Sequence, residues 1–232
     1  MELAPLGDRA VMITLGHAID EATHRLVRAI SARLDASPPA GVVDQVPAFL
    51  SIAVHYDPAA VPGDSHIAPY ERMADALRHA LADVRPDESV AARLVDIPVC
   101  YGGDLGPDLE DLARQHELSA DDVIRIHTGA EYLVYMVGFM PGFAYMGGLP
   151  EQLVTPRRSS PRTAVPARSV GIGGEQTGVY PMESPGGWNL IGRTPAEIFD
   201  PRRDPATLLA AGDRVRFHSI SLAEYRASRP NS

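Results

Sequence analysis

Four arginines, Arg157, Arg158, Arg162 and Arg168, fall within twelve residues, separated by Pro156, Pro161 and Pro166. Proline restricts backbone shape, so these guanidinium groups are presented from a comparatively stiff segment. The cluster reads either as a solvated loop or as a receptor for carboxylate, phosphate or an acidic partner, because the guanidinium fork matches planar oxyanions. A second dense patch is Gln176-Thr177-Gly178-Val179-Tyr180-Pro181 with Ser184-Pro185-Gly186-Gly187-Trp188. Its small residues let a ligand approach the backbone, while Gln, Thr and Tyr supply neutral hydrogen bonds. A turn-rich barrel rim would carry the same glycines and prolines without any ligand.

Other chemistries are weaker or absent. The eight histidines show no HExxH or other paired spacing, so no metal site is expected. His17, His24, His55, His66, His79, His116 and His218 read as surface or structural residues. His127, near the end of a helix, is a candidate for proton transfer, although helix C-termini also favour a protonated His for structural reasons. Gly171-Ile172-Gly173-Gly174 is out of register for GxGxxG, and no helix follows to receive a pyrophosphate. Ala167-Arg168-Ser169-Val170-Gly171 lacks the first glycine of a nucleophile elbow. Cys100 carries no mark of a nucleophile and reads as a buried small hydrophobe.

Lysine is absent from all 232 residues, and the 21 basic residues are all arginine. This excludes a Walker-A phosphate loop, a Schiff base, a biotin or lipoate carrier lysine and a Ser–Lys amidase pair. One cysteine excludes an internal disulfide and a thiolate metal cluster within one chain. Residues 1–150 carry a net charge of −12 and residues 151–232 a net charge of +3, so nonspecific nucleic-acid binding is not expected of the first part. No apolar run reaches the roughly 18–20 residues of a membrane helix, and no signal peptide is visible, so a cytoplasmic protein without membrane partners is expected.

These residues need elements to position them. Residues 9–15 read as a strand, followed by a helix with Leu26, Val27, Ile30 and Leu34 on one face. Pro38-Pro39-Ala40-Gly41 ends it; residues 42–46 and 49–55 read as strands, and 69–84 as a helix with Met73, Leu77, Leu81 and Val84 along one side. Arg85-Pro86-Asp87 breaks that helix, and Val90 to Val99 reads as a further strand. The order β-α-β-β-α-β predicts a ferredoxin-like α/β domain over residues 1–88. Two short helices follow, at 107–116 and from Ser119, whose hydroxyl caps free N–H groups while Asp121 and Asp122 favour the positive helix end. Residues 138–195 hold 19 of the 41 Gly and Pro residues. An even spread would place about ten there, so short strands joined by turns are expected. Strand candidates are Tyr132–Val137, Ser169–Gly173, Val179–Met182, Trp188–Gly192 and Arg214–Ile220, and a barrel over residues 89–232 is the economical reading. The expected class is α+β.

Several runs carry a resemblance. They are Ile97 to Leu109 (IPVCYGGDLGPDL), Gly138 to Leu149 (GFMPGFAYMGGL), Thr155-Pro156-Arg157-Arg158, Pro161-Arg162, Val165-Pro166-Ala167, Gln176 to Pro181 and Ser184 to Thr194 (SPGGWNLIGRT). With Leu6-Gly7-Asp8-Arg9-Ala10 and Tyr56-Asp57-Pro58, the chain resembles the KipI or allophanate-hydrolase-subunit-1 family. Arg168 and Glu175 stand where that pattern has small residues.

The resemblance implies a small α/β domain followed by a cyclophilin-like barrel. It implies a non-autonomous subunit of an ATP-dependent 5-oxoprolinase that works with a subunit-2 (PxpC- or KipA-like) partner, as a heterodimer or heterotetramer, and with a third LamB/YcsF-like (PxpA) subunit. ATP with Mg2+ is then the cofactor of the assembled complex, since no complete ATP site is legible in this chain. Inhibition of a sensor histidine kinase and a carboxyltransferase-type role in a urea-carboxylating system are the alternatives. Serine amidase chemistry, which the older family name implies, is excluded by the missing lysine. Opening 5-oxoproline requires activation of a stable amide, for which positioning and charge stabilisation matter most. The expected site has Arg157 and Arg162 on anionic oxygens, Gln176 and Thr177 orienting a polar ligand, and Tyr180 and Trp188 as walls. Gly186 and Gly187 would permit close backbone approach, and His127 would transfer a proton. The competing expectation is that this face docks the partner.

Overall fold

The computed structural model describes residues 1–86 and 92–228. The chain divides into two compact units, residues 1–91 and 92–232. The expected boundary between residues 88 and 89, with Asp87 and the start of the strand expected from Val90, lies outside the described residues.

In the first unit, β1 (Glu2–Pro5), β2 (Ala10–Thr14), β3 (Val42–Pro47) and β4 (Ser51–Tyr56) form an antiparallel sheet in the order β1-β2-β4-β3. Val11, Ile13, Ile52, Val54 and Tyr56 alternate along β2 and β4 and are buried, the period-two pattern of a sheet covered on one face. Helices α1 (Glu21–Ala36) and α2 (Pro69–Leu81) bring Val27, Ile30 and Leu34 and Met73, Leu77 and Leu81 into the same core. Asp20 caps α1 by accepting the Thr23 N–H at 2.8 Å, and Pro69 opens α2, where its missing N–H leaves no helical bond unmade.

From β2 the elements follow in the expected order β-α-β-β-α-β, but they do not build one sheet. The sheet's fourth strand is β1, from the N-terminus, and the strand after α2 joins the second unit. That strand, β5 (Leu94–Tyr101), pairs in parallel with β13 (Arg214–Ser219) and antiparallel with β12 (Asn189–Arg193). Its alternating Ile97 and Val99 are fully buried in the core of the second unit. Alternation announces a half-buried strand but does not say which sheet buries it.

The second unit is a closed barrel of seven strands in the order β10-β7-β6-β13-β5-β12-β9. Here β6 is Glu131–Val137, β7 Ala144–Gly147, β9 Ser169–Gly173 and β10 Gln176–Val179. Closure pairs each barrel strand on both sides, which removes the open edges of a flat sheet. A two-stranded ribbon, β8 (Arg162–Val165) against β11 (Ser184–Gly186), stands apart from the barrel sheet. Helices α3 (Leu109–Gln115) and α4 (Ala120–Thr128) bring Leu109, Leu112 and Val123 into the cluster of Ile97, Tyr132, Met146, Ile172, Ile191 and Phe217. Ser119 and Asp122 form the capping box that opens α4, and α5 (Leu222–Ala227) closes the described chain.

The strand expected at Val179–Met182 lies earlier, because Gly174 at φ +65° turns the chain tightly and Gln176 already pairs with Gly173. Cys100 is buried, and burial pushes its thiol pKa up. Among the described residues, no helix is long and apolar enough to cross a membrane.

Candidate functional site

Asp108, an acidic residue just before α3, is buried. Its N–H donates to the Leu190 carbonyl at 2.9 Å, and its Oδ2 accepts the Leu190 N–H at 2.7 Å, tying it to β12 in both directions. Its Oδ1 accepts from Arg158 Nη1 at 3.0 Å and Arg162 Nη2 at 2.7 Å. A buried carboxylate without such partners would be strongly unfavourable, so two members of the arginine cluster have a structural commitment. Arg168 belongs elsewhere: its backbone is left-handed at φ +68°, and its guanidinium lies 3.9 Å from Glu197. Arg157 is exposed, and its charge acts on the phenols of Tyr145 and Tyr180.

Arg162 faces Gly186 across the β8–β11 ribbon. A Cβ at Gly186 would stand 2.5 Å from the Tyr180 hydroxyl, so only glycine lets the ribbon lie against that phenol. At Gly187 a Cβ would find its nearest neighbour at 3.7 Å, an ordinary contact. Tyr180 is 2% and Trp188 4% exposed, and both pack with Phe143, Val165 and Leu190. The Phe143, Tyr180 and Trp188 rings meet edge to face, at interplanar angles of 75–81°. Trp188 lies over glycine: a Cβ at Gly173 would be 2.5 Å from the indole, and one at Gly178 3.1 Å. Gly171 and Gly173, from the run that superficially suggests a nucleotide loop, thus lie against Trp188, whereas a Cβ at Gly174 would meet nothing within 4 Å. Burial pushes the Tyr180 phenol pKa up, opposed by a Trp188 backbone hydrogen bond and the charge of Arg157.

His127 is in a different environment. It is fully buried, stacked on Phe217 with ring centroids 4.7 Å apart. Nδ1 lies 2.8 Å from the Tyr101 hydroxyl and Nε2 3.0 Å from the Thr177 hydroxyl, while Thr177 also donates to the Gly171 carbonyl at 3.1 Å. Burial lowers the pKa of His127 to about 3, so the ring is neutral at physiological pH. Burial also holds the Tyr101 phenol protonated, its pKa well above the ordinary value.

The residues expected to share one site therefore fall into three places. Arg157, Arg162, Tyr180, Gly186 and Trp188 come together around Asp108 and the ribbon. His127 and Thr177 lie inside the barrel. Gln176, half-buried, is the strand neighbour of Thr177, and successive strand residues point to opposite faces. Asp108 is a site residue that local sequence pattern does not reveal. Its place just before an apolar helix is legible, but its arginine partners lie 50 and 54 positions onward.

Among the described residues, no group of three or more His, Cys, Asp or Glu side chains is arranged to hold a metal ion. The chain also has no lysine to reach a nucleotide phosphate.

A family model described as carboxyltransferase domain, subdomain C and D, matches residues 1–209. The chain is 45% identical over 236 residues to the 5-oxoprolinase B subunit of Bacillus subtilis, covering 100% of this chain and 98% of that one. It is 43% identical over 213 residues to the corresponding 5-oxoprolinase chain of Escherichia coli O157:H7, covering 91% and 93%. The crystal structure of TTHA0988 matches with a TM-score of 0.79 at 35% identity, over 92% of this chain. The present chain spans 40% of the length of that one. The matches over nearly the full length of both chains settle the kinship: the protein belongs to the family of 5-oxoprolinase B subunits, which carries subdomains C and D of the carboxyltransferase domain.

Proposed function

We propose that this chain is a non-autonomous subunit of an ATP-dependent 5-oxoprolinase, converting 5-oxoproline to glutamate together with a subunit-2 partner and a LamB/YcsF-like third subunit. The observation that carries the reading is the arginine pair at Tyr180: Arg162, aimed by Asp108, and Arg157, exposed beside the same phenol. Arg162 retains a buried Nη1 with no hydrogen-bond partner. A charged donor left unmatched is unfavourable in a free chain and is relieved by an anionic ligand or partner. The barrel, read as the cyclophilin-like domain of the resemblance, supplies the frame; ATP and Mg2+ chemistry belongs to the assembled complex.

Within this reading the arginines hold anionic oxygens and Gln176 orients a polar ligand from the start of β10. Tyr180, Trp188 and Gly186 shape the wall. His127, neutral and paired on both nitrogens, positions Thr177 and Tyr101 rather than moving a proton to substrate. The reading is tested by co-purifying the chain with its subunit-2 homologue, adding the third subunit, and measuring ATP-dependent glutamate release from 5-oxoproline. Turnover that requires all three supports it. No turnover by a correctly assembled complex, or histidine-kinase inhibition by this chain alone, overturns it.

A further inference from the structure

Phe139 is the most exposed of the large apolar side chains among the described residues, at 67%. Its backbone is left-handed, at φ +69°. The Met140 N–H donates to the Gly138 carbonyl at 2.8 Å, so Phe139 is the central residue of a three-residue turn. A γ-turn with positive φ at its centre is rare and strained, and a bulky aromatic is among the least suited residues to hold it. The loop over-determines this conformation: the Gly138 N–H donates to the Phe143 carbonyl at 3.0 Å, the Phe143 N–H to Met140 at 3.1 Å, and Gly142 turns at φ +81°. The Phe139 ring meets Phe143 edge to face with centroids 5.7 Å apart. A strained backbone that holds a phenylalanine out in water is doubly unfavourable for a free chain. Local strain of this kind persists at sites where it serves binding or switching.

We propose that Phe139 is a pre-organised anchor that inserts into an apolar socket of the companion subunit. The inference rests on the reading of this chain as one subunit of a complex. Three observations favour a protein socket as the occupant. The relatives that match this chain over nearly their whole length are named as a subunit. In TTHA0988 the matching fold occupies 40% of the chain, so that polypeptide carries additional protein alongside it. The row of rings from Phe139 through Phe143 to Tyr145 ends beside the exposed charge of Arg157. The matching surface is thus an apolar pocket with an acidic rim. Central aromatics in desolvated pockets dominate many interfaces, and a fixed backbone reduces the ordering lost on association.

The strain makes the test specific. Phe139→Gly relaxes the turn while removing the ring; Phe139→Ala removes the ring and keeps the strain. Affinity for the purified subunit-2 homologue is measured by biolayer interferometry, alongside the melting temperature of the isolated chain. Both variants are expected to weaken assembly at least tenfold, with the melting temperature unchanged in Phe139→Ala and unchanged or raised in Phe139→Gly. Assembly within twofold of wild type overturns the anchor, including the case where only KM changes and the loop acts as a lid. Loss of assembly with a parallel fall in melting temperature also overturns it, since the ring would then serve the fold. A wild-type chain that does not bind the homologue overturns the subunit reading and the anchor together.

Discussion

Thr177 Oγ1 stands 3.1 Å from the Gly171 carbonyl, which can only accept, and 3.0 Å from His127 Nε2, and a proton given to the carbonyl leaves the hydroxyl oxygen free to accept from the ring. The Thr177 oxygen, having donated, accepts from His127 Nε2–H at 3.0 Å, so Nδ1 is the acceptor for the Tyr101 hydroxyl. The run ends on a backbone carbonyl, and each polar group along it is paired.

The pH dependence of stability follows from that arrangement. The pKa of His127 falls from 6.5 to about 3 on burial, so the unfolded chain binds the extra proton first as pH drops. Its contribution is fully present above pH 6.5 and is lost as pH falls toward 3. Between pH 6 and 4 the unfolding free energy of the wild type should fall faster than that of His127→Asn, by about 1.4 kcal/mol per pH unit. Urea unfolding at several pH values reads the difference, and parallel slopes would refute the neutral buried ring.

Removing Asp108 and removing Arg157 should have opposite signatures. Asp108→Ala leaves Arg158 and Arg162 facing a vacated buried site and should destabilise by about 2–4 kcal/mol. Arg157→Ala touches an exposed side chain and should stay within about 0.5 kcal/mol of wild type while lowering the activity of the assembled complex. Chemical denaturation paired with the glutamate assay separates the two; full activity in Arg157→Ala would remove it from the site.

Adjacent glycines give a local contrast. Gly186→Ala drives a methyl to within 2.5 Å of the Tyr180 hydroxyl and should cost about 1–3 kcal/mol. Gly187→Ala meets only ordinary contacts and should change stability by less than about 1 kcal/mol. Equal losses in denaturant midpoint would mean that the ribbon does not lie against Tyr180.

The barrel unit should fold alone. A chain beginning at Ala92 keeps every strand of the closed sheet and its own apolar cluster. It should melt cooperatively and show native-like circular dichroism. A fragment without a thermal transition would show that the first unit is needed for the fold.

Local signals in the sequence are legible where one element is enough to express them. The helical faces of Val27, Ile30 and Leu34 and of Met73, Leu77 and Leu81 are buried as their spacing requires. Ser169–Gly173 is a strand with the bounds its composition indicates, and Ser119 caps the helix it precedes. β1 gives no such signal, because Glu2-Leu3-Ala4-Pro5 is too short, and too interrupted by proline, to show alternation. The ribbon strands β8 and β11 hide because they are only four and three residues long.

By itself, the sequence determined which residues would be buried within each element, which chemistries a chain without lysine must forgo, and which family its runs of glycine, proline and aromatics match. Only the tertiary structure decided how those residues are shared out. It gave β5 to the barrel by pairing it with a strand some 120 residues away, as in the Asp96–Arg216 contact. It divided the arginine cluster between Asp108, Glu197 and the open surface. It also drew His127 and Thr177 into the interior, 50 positions apart in the chain. Periodicity and capping are properties of neighbouring residues and survive in any fold. The choice of a distant partner follows from which strands close the barrel, and that closure is a property of the whole unit.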